Sequence, residues 1–442
     1  EESKRKAAKS RNTNGNPIKL QSKILAVAAD PLNSGSIYVA ESAGTVRRVI
    51  LEVGARRLAF SSLESIGTKP LVHLQTGEIS AVYRGPTAPL TSVCFSPDGK
   101  LVFAGCWDKT VWSWDVTSRQ PKQRYQGHSD FVKSVLCARV AGQDVLISGG
   151  ADAEIIVFSI STGERLHVLK GHARGVQDLA IDPASLDPDS SKFVLFSAGS
   201  DREIRRFDIP PGAGDLSGSE PLIEHETSVY KLFFDADGDL WTASADKTAK
   251  CLIRDNGWKA DLVLEHPDFV RDVVVHEQGG WVITACRDEE VRVWNKAVRP
   301  RFSFSRLISL LLDQTGELFH TFSGHFEEVT GLLLVGPTVV SVSIDATIRQ
   351  WSLKPDELRR AREESQNKKN PSEEDGEPKI ESMLTEEEER ELAELMNEND
   401  DKSKGTLPQD GVMMADDVTI RTVDIKDHPC WRAAEICMPQ SP

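Results

Sequence analysis

Long hydrophobic runs are absent from this 442-residue sequence. No apolar stretch reaches the roughly 18 residues that a membrane-spanning helix requires, so no membrane partner is expected. The opening, EESKRKAAKSR, lacks the apolar core of a secretory signal. It reads as a basic, flexible N-terminus over residues 1–16, with a weak nuclear-import patch as the sharper alternative. The first residue is Glu rather than Met, so a processed or trimmed chain is expected. Cysteine is scarce: there are seven, an odd number, with no CxxC pair. Five of them, Cys94, Cys106, Cys137, Cys251 and Cys286, sit in apolar strand-like runs, where a thiol packs as a small hydrophobe. They are read as reduced and structural, in an intracellular protein of the cytoplasm, the nucleus or both. Lys and Arg are in no excess, 53 against 68 Asp and Glu, which argues against direct nucleic-acid binding. A phosphate-cradling Gly-rich loop, a GxSxG elbow, an HExxH pair and a convincing nucleophile–base or metal cluster are also missing. No enzyme, cofactor or metal is therefore expected.

The net charge of −15 gathers at one end. Residues 356–442 hold 24 acidic and 12 basic side chains, so the first 355 residues are nearly neutral. Residues 355–367 (PDELRRAREESQN) start with Pro and carry acids in the first turn, which predicts a helix. Residues 368–381 are rich in Lys, Glu, Pro and Ser and read as disordered. Thr385 and Glu388 make a capping box for a second short helix near 386–397, although Glu389 stands where a staple would need an apolar partner. Leu392, Leu395 and Met396 give that helix a short apolar stripe. The acidic tail, 355–442, is thus expected to be largely disordered with short helices, either simply solvated or docking in a partner's groove. Around Trp431 it regains hydrophobicity, for which the sequence offers no account.

The body of the chain repeats at a period near 42 residues. Asp108, Asp152, Asp201, Asp246, Asp288 and Asp345 each close a small-residue cluster, as in GCWDKTVWSWD and SIDATIRQWS. Six residues beyond them stand Trp114, Phe158, Phe207, Leu252, Trp294 and Trp351; four before stand Ala104, Ser148, Ser197, Thr242, Thr284 and Ser341. A histidine precedes the last five by 20–29 residues: His128, His172, His225, His266 and His325. Three of these follow Gly, and Trp114-Asp115 forms a literal Trp-Asp pair.

In these positions the sequence resembles the WD-repeat β-propellers, whose Gly-His and Trp-Asp signatures bracket four-stranded blades. The resemblance implies an all-β, seven-bladed propeller over residues 17–354. Blade one is degenerate, with Ala43 in place of the Asp, and blade two has Pro86 in place of the His. Blade seven ends at Leu353 without a fourth strand, which residues 17–22 (PIKLQS) are expected to supply, closing the ring. The His, Ser/Thr, Asp and Trp read as a buried hydrogen-bond chain that pins each blade's turn to the loop entering it. His266–Thr284–Asp288–Trp294 and His325–Ser341–Asp345–Trp351 have all four members. His128–Ser148–Asp152, His172–Ser197–Asp201 and His225–Thr242–Asp246 lack only the Trp. The periodic spacing makes these residues scaffold rather than catalytic.

By family position, side chains three and five residues beyond each His point up around the central channel. These are Phe131 and Lys133, Gly175 and Gln177, Ser228 and Tyr230, Phe269 and Arg271, Glu328 and Thr330, with Pro89 and Thr91 in blade two. Residues just before the repeat Asp, among them Trp107, Ser200, Arg287 and Ile344, join the same face. Trp107, Phe131, Lys133, Tyr230, Phe269, Arg271 and Arg287 are the expected partner-binding residues, since aromatics and Arg dominate interface hot spots. The expected function is a non-catalytic scaffold that binds a peptide or protein domain on this upper face within a multiprotein complex. A non-catalytic subunit or chaperone in RNA processing or ribosome assembly is one alternative. A ubiquitin-ligase substrate receptor is another, although Thr117 occupies the place where that subset carries Arg or Lys.

Two segments break the period. Residues 53–75 separate RRVILE from TGEISAVY, and residues 298–314 separate VRVWNKA from TGELFHTF. Both begin with Val, end with Gln and precede Thr-Gly-Glu; a GT-initial Val codon and a CAG Gln codon match the ends of an intron. They are read as retained introns translated in frame, with genuine loop insertions as the other reading. A tryptic peptide joining Glu52 to Thr76 in the natural protein supports the first; peptides from within 53–75 sink it. Residues 183–192 and 210–221 read as ordinary long loops of blade four, and Asp235–Leu240 (DADGDL) as a turn rather than a calcium loop.

Overall fold

A computed structural model describes residues 2–51, 77–186, 191–210, 220–296 and 316–369. The chain divides into two units, Glu1–Pro371 and Ser372–Pro442. The second unit, the expected helix near 386–397 and both intruding segments lie outside the described residues.

Within the first unit the repeat becomes seven antiparallel sheets. Blade one is β2 (Ile24–Ala29), β3 (Ser36–Glu41), β4 (Val46–Ile50) and β5 (Ile79–Tyr83). Blade two is β6 (Leu90–Phe95), β7 (Leu101–Cys106), β8 (Thr110–Asp115) and β9 (Pro121–Gln126). Blade three is β10 (Val132–Val140), β11 (Gln143–Gly150), β12 (Ile155–Ser159) and β13 (Arg165–Leu169). Among the described residues blade four has three strands, β14 (Val176–Ile181), β15 (Phe193–Gly199) and β16 (Ile204–Ile209). Its fourth strand shrinks to one bridge, Ile204 to Leu222, a departure from the four-stranded expectation. Blade five is β17 (Val229–Phe234), β18 (Leu240–Ser244), β19 (Thr248–Ile253) and β20 (Lys259–Glu265). Blade six is β21 (Val270–His276), β22 (Trp281–Cys286), β23 (Glu290–Asn295) and β24 (Leu318–Ser323). Blade seven is β25 (Val329–Val335), β26 (Thr338–Ser343) and β27 (Thr347–Ser352), completed by β1 (Ile18–Lys19), which pairs with β27 through Ile18–Ile348 and Lys19–Thr347.

Burial explains the strand chemistry. Second strands such as β3 (SIYVAE) and β7 (LVFAGC) are buried along their whole length, because neighbouring blades cover both faces. Outer strands such as β20 (KADLVLE) alternate instead, one face toward solvent. The innermost strands β2, β6, β10, β14, β17, β21 and β25 touch in that order, and β25 returns to β2. Seven apolar clusters fill the seven interfaces between consecutive blades. Fully burying one Leu, Ile, Val or Phe side chain contributes about 1.5–3 kcal/mol, so the ring is held by side-to-side blade packing.

Between second and third strands every blade makes the same tight turn. One residue in it has positive φ: Gly44, Lys109, Ala153, Arg202, Lys247, Glu289 or Ala346, at +63° to +77°. Only blade one fills it with Gly, and there a Cβ would lie 2.5 Å from the Pro86 carbonyl oxygen.

Among the described residues two α-helices accompany the ring. The basic N-terminus, expected as flexible chain, contains α1 (Glu2–Lys9). The predicted exit helix is α2 (Pro355–Lys369), whose Leu358 is fully buried beside Trp351 and Leu353. Among the described residues no helix is long and apolar enough to cross a membrane.

Candidate interaction surface on the upper face

The loop entering each blade and the turn between its second and third strands lie on one face, called upper here. In blade seven all four expected residues connect. His325 Nδ1 lies 3.0 Å from Asp345 Oδ2 and its Nε2 2.8 Å from Ser341 Oγ, which accepts the Trp351 indole N–H at 2.8 Å. Asp345 also accepts from the backbone N–H groups of Phe326 and Thr347 and from the Thr347 hydroxyl. Blades three to five repeat this without the indole. His128 joins Asp152 (3.0 Å) and Ser148 (2.8 Å), His172 joins Asp201 (3.1 Å) and Ser197 (2.7 Å), and His225 joins Asp246 (2.8 Å) and Thr242 (2.7 Å). Burial works against the Asp152, Asp201 and Asp246 carboxylates, yet the facing imidazole and the backbone N–H groups hold each below the usual carboxylate range.

Blade six departs from this chain. His266 Nε2 and the Trp294 indole both reach Thr284 Oγ1, at 2.8 and 2.9 Å, but His266 Nδ1 turns to the Leu264 carbonyl. Asp288 instead takes both terminal nitrogens of Arg292, four residues on along β23. A fork of two charge-assisted hydrogen bonds outcompetes one from a neutral imidazole. Burial, reinforced by the Arg292 charge, pushes His266 down to about 4.

Blades one and two lack the histidine and improvise. In blade two Asp108 accepts from Thr110 and from the Trp112 indole (2.8 Å). In blade one Glu41, fully buried, takes the Thr45 hydroxyl and Arg47 Nε.

Above this frame the structure pairs expected binding residues, two pairs across blade boundaries and one within blade six. Trp107 of blade two stacks on Phe131 of blade three, with centroids 4.9 Å apart and planes at 14°, and Trp107 stays 37% exposed. Arg271 lies 4.4 Å over the Tyr230 ring and pairs with Glu328; Arg287 lies 5.1 Å over Phe269. Lys133 is half-buried on the same strand as Phe131's loop. Thr91 and Thr330 have a different job from facing a ligand: they donate to the carbonyl oxygens of Val132 (2.6 Å) and Ile24 (2.9 Å) on the next blade.

Sequence reasoning missed a ring of ties one position further along. Ser92, Asp178 and Asp272 accept the backbone N–H of Val135, Leu232 and Leu332, each on the following blade. Lys231 lies 3.3 Å from Asp178. Burial raises Asp272 to about 6, against the opposing pull of Lys231. These positions are the sixth after His172 and His266, and the sixth after Pro86, which stands in the histidine's place in blade two. DADGDL is a turn, with Asp235 accepting the backbone N–H groups of Asp237 and Asp239. Among the described residues His172, Asp201 and Glu203 could approach one ion together. Asp201 is committed to His172, however, and Glu203 to Arg205.

The seven-sheet ring, with its repeated His–Ser/Thr–Asp turns, has counterparts among known proteins. A family model described as "WD domain, G-beta repeat" matches residues 77–115, 163–208, 260–295 and 316–352. The chain is 30% identical over 412 residues to an uncharacterized WD repeat-containing protein of Schizosaccharomyces pombe, spanning 90% of this chain and 96% of that one. This chain belongs to the WD-repeat family. The WD-repeat protein is also 26% identical over 290 residues to nuclear distribution protein nudF of Aspergillus niger, covering 54% of this chain and 63% of that relative. Over 179 residues it is 26% identical to mouse pre-mRNA-processing factor 19, covering 38% of this chain and 32% of that protein. As a WD-repeat propeller, it has the rigid, loop-ringed architecture of a non-catalytic interaction domain.

Proposed function

We propose that the protein is a non-catalytic scaffold that captures a peptide or partner domain on the upper face of its propeller. The observation that carries this reading is the pairing of aromatic and Arg side chains, Trp107 on Phe131 and Arg271 on Tyr230 across blade boundaries and Arg287 on Phe269 within blade six. Such pairs present large, pre-ordered contact area, which lowers the ordering cost of binding. The test is gentle purification of the C-terminally tagged natural protein beside a Phe269→Ala/Arg271→Ala/Arg287→Ala variant, with co-purifying proteins read by mass spectrometry. Loss of stoichiometric partners from a folded variant supports the reading; unchanged capture sinks it.

Service in an RNA-processing assembly of the nucleus is the second reading, favoured by the likeness to pre-mRNA-processing factor 19. It predicts RNA-processing proteins among the captured partners.

A further inference from the structure

The N-terminal helix adds something that the upper-face reading leaves unused. An isolated helix of eight residues is unstable in water, so α1 (ESKRKAAK) owes its form to its seat. That seat is made of carboxylates. Arg5 Nη2 lies 2.9 Å from Glu289 Oε1, and Lys9 Nζ lies 2.7 Å from Glu289 Oε2 and 3.2 Å from Glu290 Oε1. Lys6 Nζ lies 2.9 Å from Glu327 Oε1. Arg5 and Lys9 stand one helical turn apart, so both reach the same Glu289, while Lys6 reaches across to the next loop. Beneath α1 the Glu289 side chain is only 8% exposed.

The location matters as much as the charge. Glu289 and Glu290 belong to the turn that carries Arg287, and Glu327 adjoins Glu328, the partner of Arg271. Helix α1 therefore rests beside the turn that bears Arg287 in blade six and on the loop of blade seven whose Glu328 pairs with Arg271. Among its described side chains, Arg5, Lys6 and Lys9 hold α1 to the ring by ion pairs, and none of the seven apolar clusters includes one of them. Water screens the pair made by a side chain as open as Arg5 (55%), and Lys6 and Lys9 are also partly exposed, so another cationic helix can replace α1. What keeps α1 in place is its tether: Asn12 and Asn14 bond to Gly324 and Ser323, and β1 is locked into blade seven. A short tether holds a ligand at an effective concentration on the order of millimolar.

We propose that Glu289, Glu290 and Glu327 form an exchange site for a basic helical segment of a protein partner, and that α1 is its intramolecular occupant. The partner helix carries two cationic side chains one turn apart and a third beside them. This rests on the upper-face reading and names both the partner's chemistry and the element that guards the face.

The test uses the full 442-residue chain and a fluorescein-labelled peptide of residues 1–12 (EESKRKAAKSRN), titrated by anisotropy at 50 and 200 mM salt. The chain carrying Arg5→Glu, Lys6→Glu and Lys9→Glu, whose own helix is repelled, should bind the peptide about tenfold or more tightly than the parent. Adding Glu289→Gln and Glu327→Gln should erase that gain, and the higher salt should weaken it. Circular dichroism melts check that each variant is folded, and the Arg5→Ala/Lys6→Ala/Lys9→Ala chain serves as the milder control. Equal affinity for parent and charge-reversed chain overturns the proposal, as does a gain that survives the two glutamine substitutions. If the Phe269/Arg271/Arg287 variant loses its partners while the peptide cannot tell the chains apart, the upper-face reading stands and the exchange site falls. A clear peptide difference with unchanged partner capture fails the upper-face reading instead.

Discussion

Blades six and seven carry the same four-residue signature, and both place an arginine four residues beyond the repeat Asp, yet they are wired differently. In blade six Arg292 takes both oxygens of Asp288, and His266 is left with a backbone carbonyl. In blade seven the counterpart, Arg349, is drawn away by the Asn12 side chain and the Asn14 carbonyl. Asp345 is then free to receive His325. The deciding residues belong to the N-terminal strap, not to either blade. A repeat motif thus fixes which groups stand in a turn, but an arginine's choice between two acceptors depends on what covers it.

The largest expected consequence is a difference in the cost of removing each aspartate. Asp345→Ala strips the acceptor from the buried His325 ring, the Thr347 hydroxyl and two backbone N–H groups, and should cost about 3–5 kcal/mol in urea unfolding. Asp288→Ala breaks an ion pair whose partners are partly solvated and should cost about 1–3 kcal/mol. Equal losses would show that the two turns are energetically alike despite their wiring.

The next effect is on pH dependence. With His266 near 4 in the folded chain and roughly 6.5 when unfolded, the unfolded state binds the extra proton between those values. Its contribution is complete above pH 6.5 and is lost as pH falls toward 4, on the order of 3 kcal/mol. Asp272, raised to about 6, works the other way, binding its proton first in the folded chain and adding stability as pH falls from about 6. Comparing the parent with His266→Asn across pH 7 to 4 isolates the histidine: the variant should lose less stability over that window. Parallel curves would deny His266 this role.

Converting blade six to the wiring of blade seven is a smaller step. Arg292→Met should release Asp288 to accept from His266 Nδ1 and raise the histidine's titration midpoint by about one unit or more, as read by NMR of the ring. A midpoint that stays near 4 would mean that burial alone sets it. Smallest of all is the turn residue itself. Ala346 holds φ +63°, where Gly is free of the roughly 1 kcal/mol penalty paid by a Cβ, so Ala346→Gly should stabilise blade seven by a few tenths to about 1 kcal/mol. The matching Glu289→Gly gains the same backbone relief but loses the seat of Arg5 and Lys9, and should come out less stable than Ala346→Gly.

Much of this architecture was legible in the residues. The period of the Asp positions marks seven blades even where Ala43 and Pro86 depart from the pattern, because the flanking apolar strands keep their spacing. The closing strand could be placed because blade seven runs out at Leu353 while PIKLQS stands ahead of blade one. The Pro and acids that open residues 355–367 predicted α2, though not that Leu358 would be buried under blade seven. What stayed hidden depends on contacts between distant parts of the chain. Nothing near Arg292 or Arg349 distinguishes them; Asn12 and Asn14 do. Helix α1 is too short to announce itself, and its Arg5, Lys6 and Lys9 acquire meaning only against Glu289 and Glu327. The fourth strand of blade four was expected from the period, but among the described residues it is represented by the bridge at Leu222.

Ring closure by Ile18 and Lys19 has a bearing on the order of assembly. The ribosome makes these two residues more than 300 positions ahead of Thr347 and Ile348, which they join. Until then the nascent chain holds six blades or so with both ends of the stack open, and β27 presents a bare edge once it forms. The strap that directs Arg349 can be laid down only at that closing step. The final act of folding therefore joins the ring, sets the wiring of blade seven and brings α1 over the upper face together. A chain stalled short of residue 347 would lack all three at once.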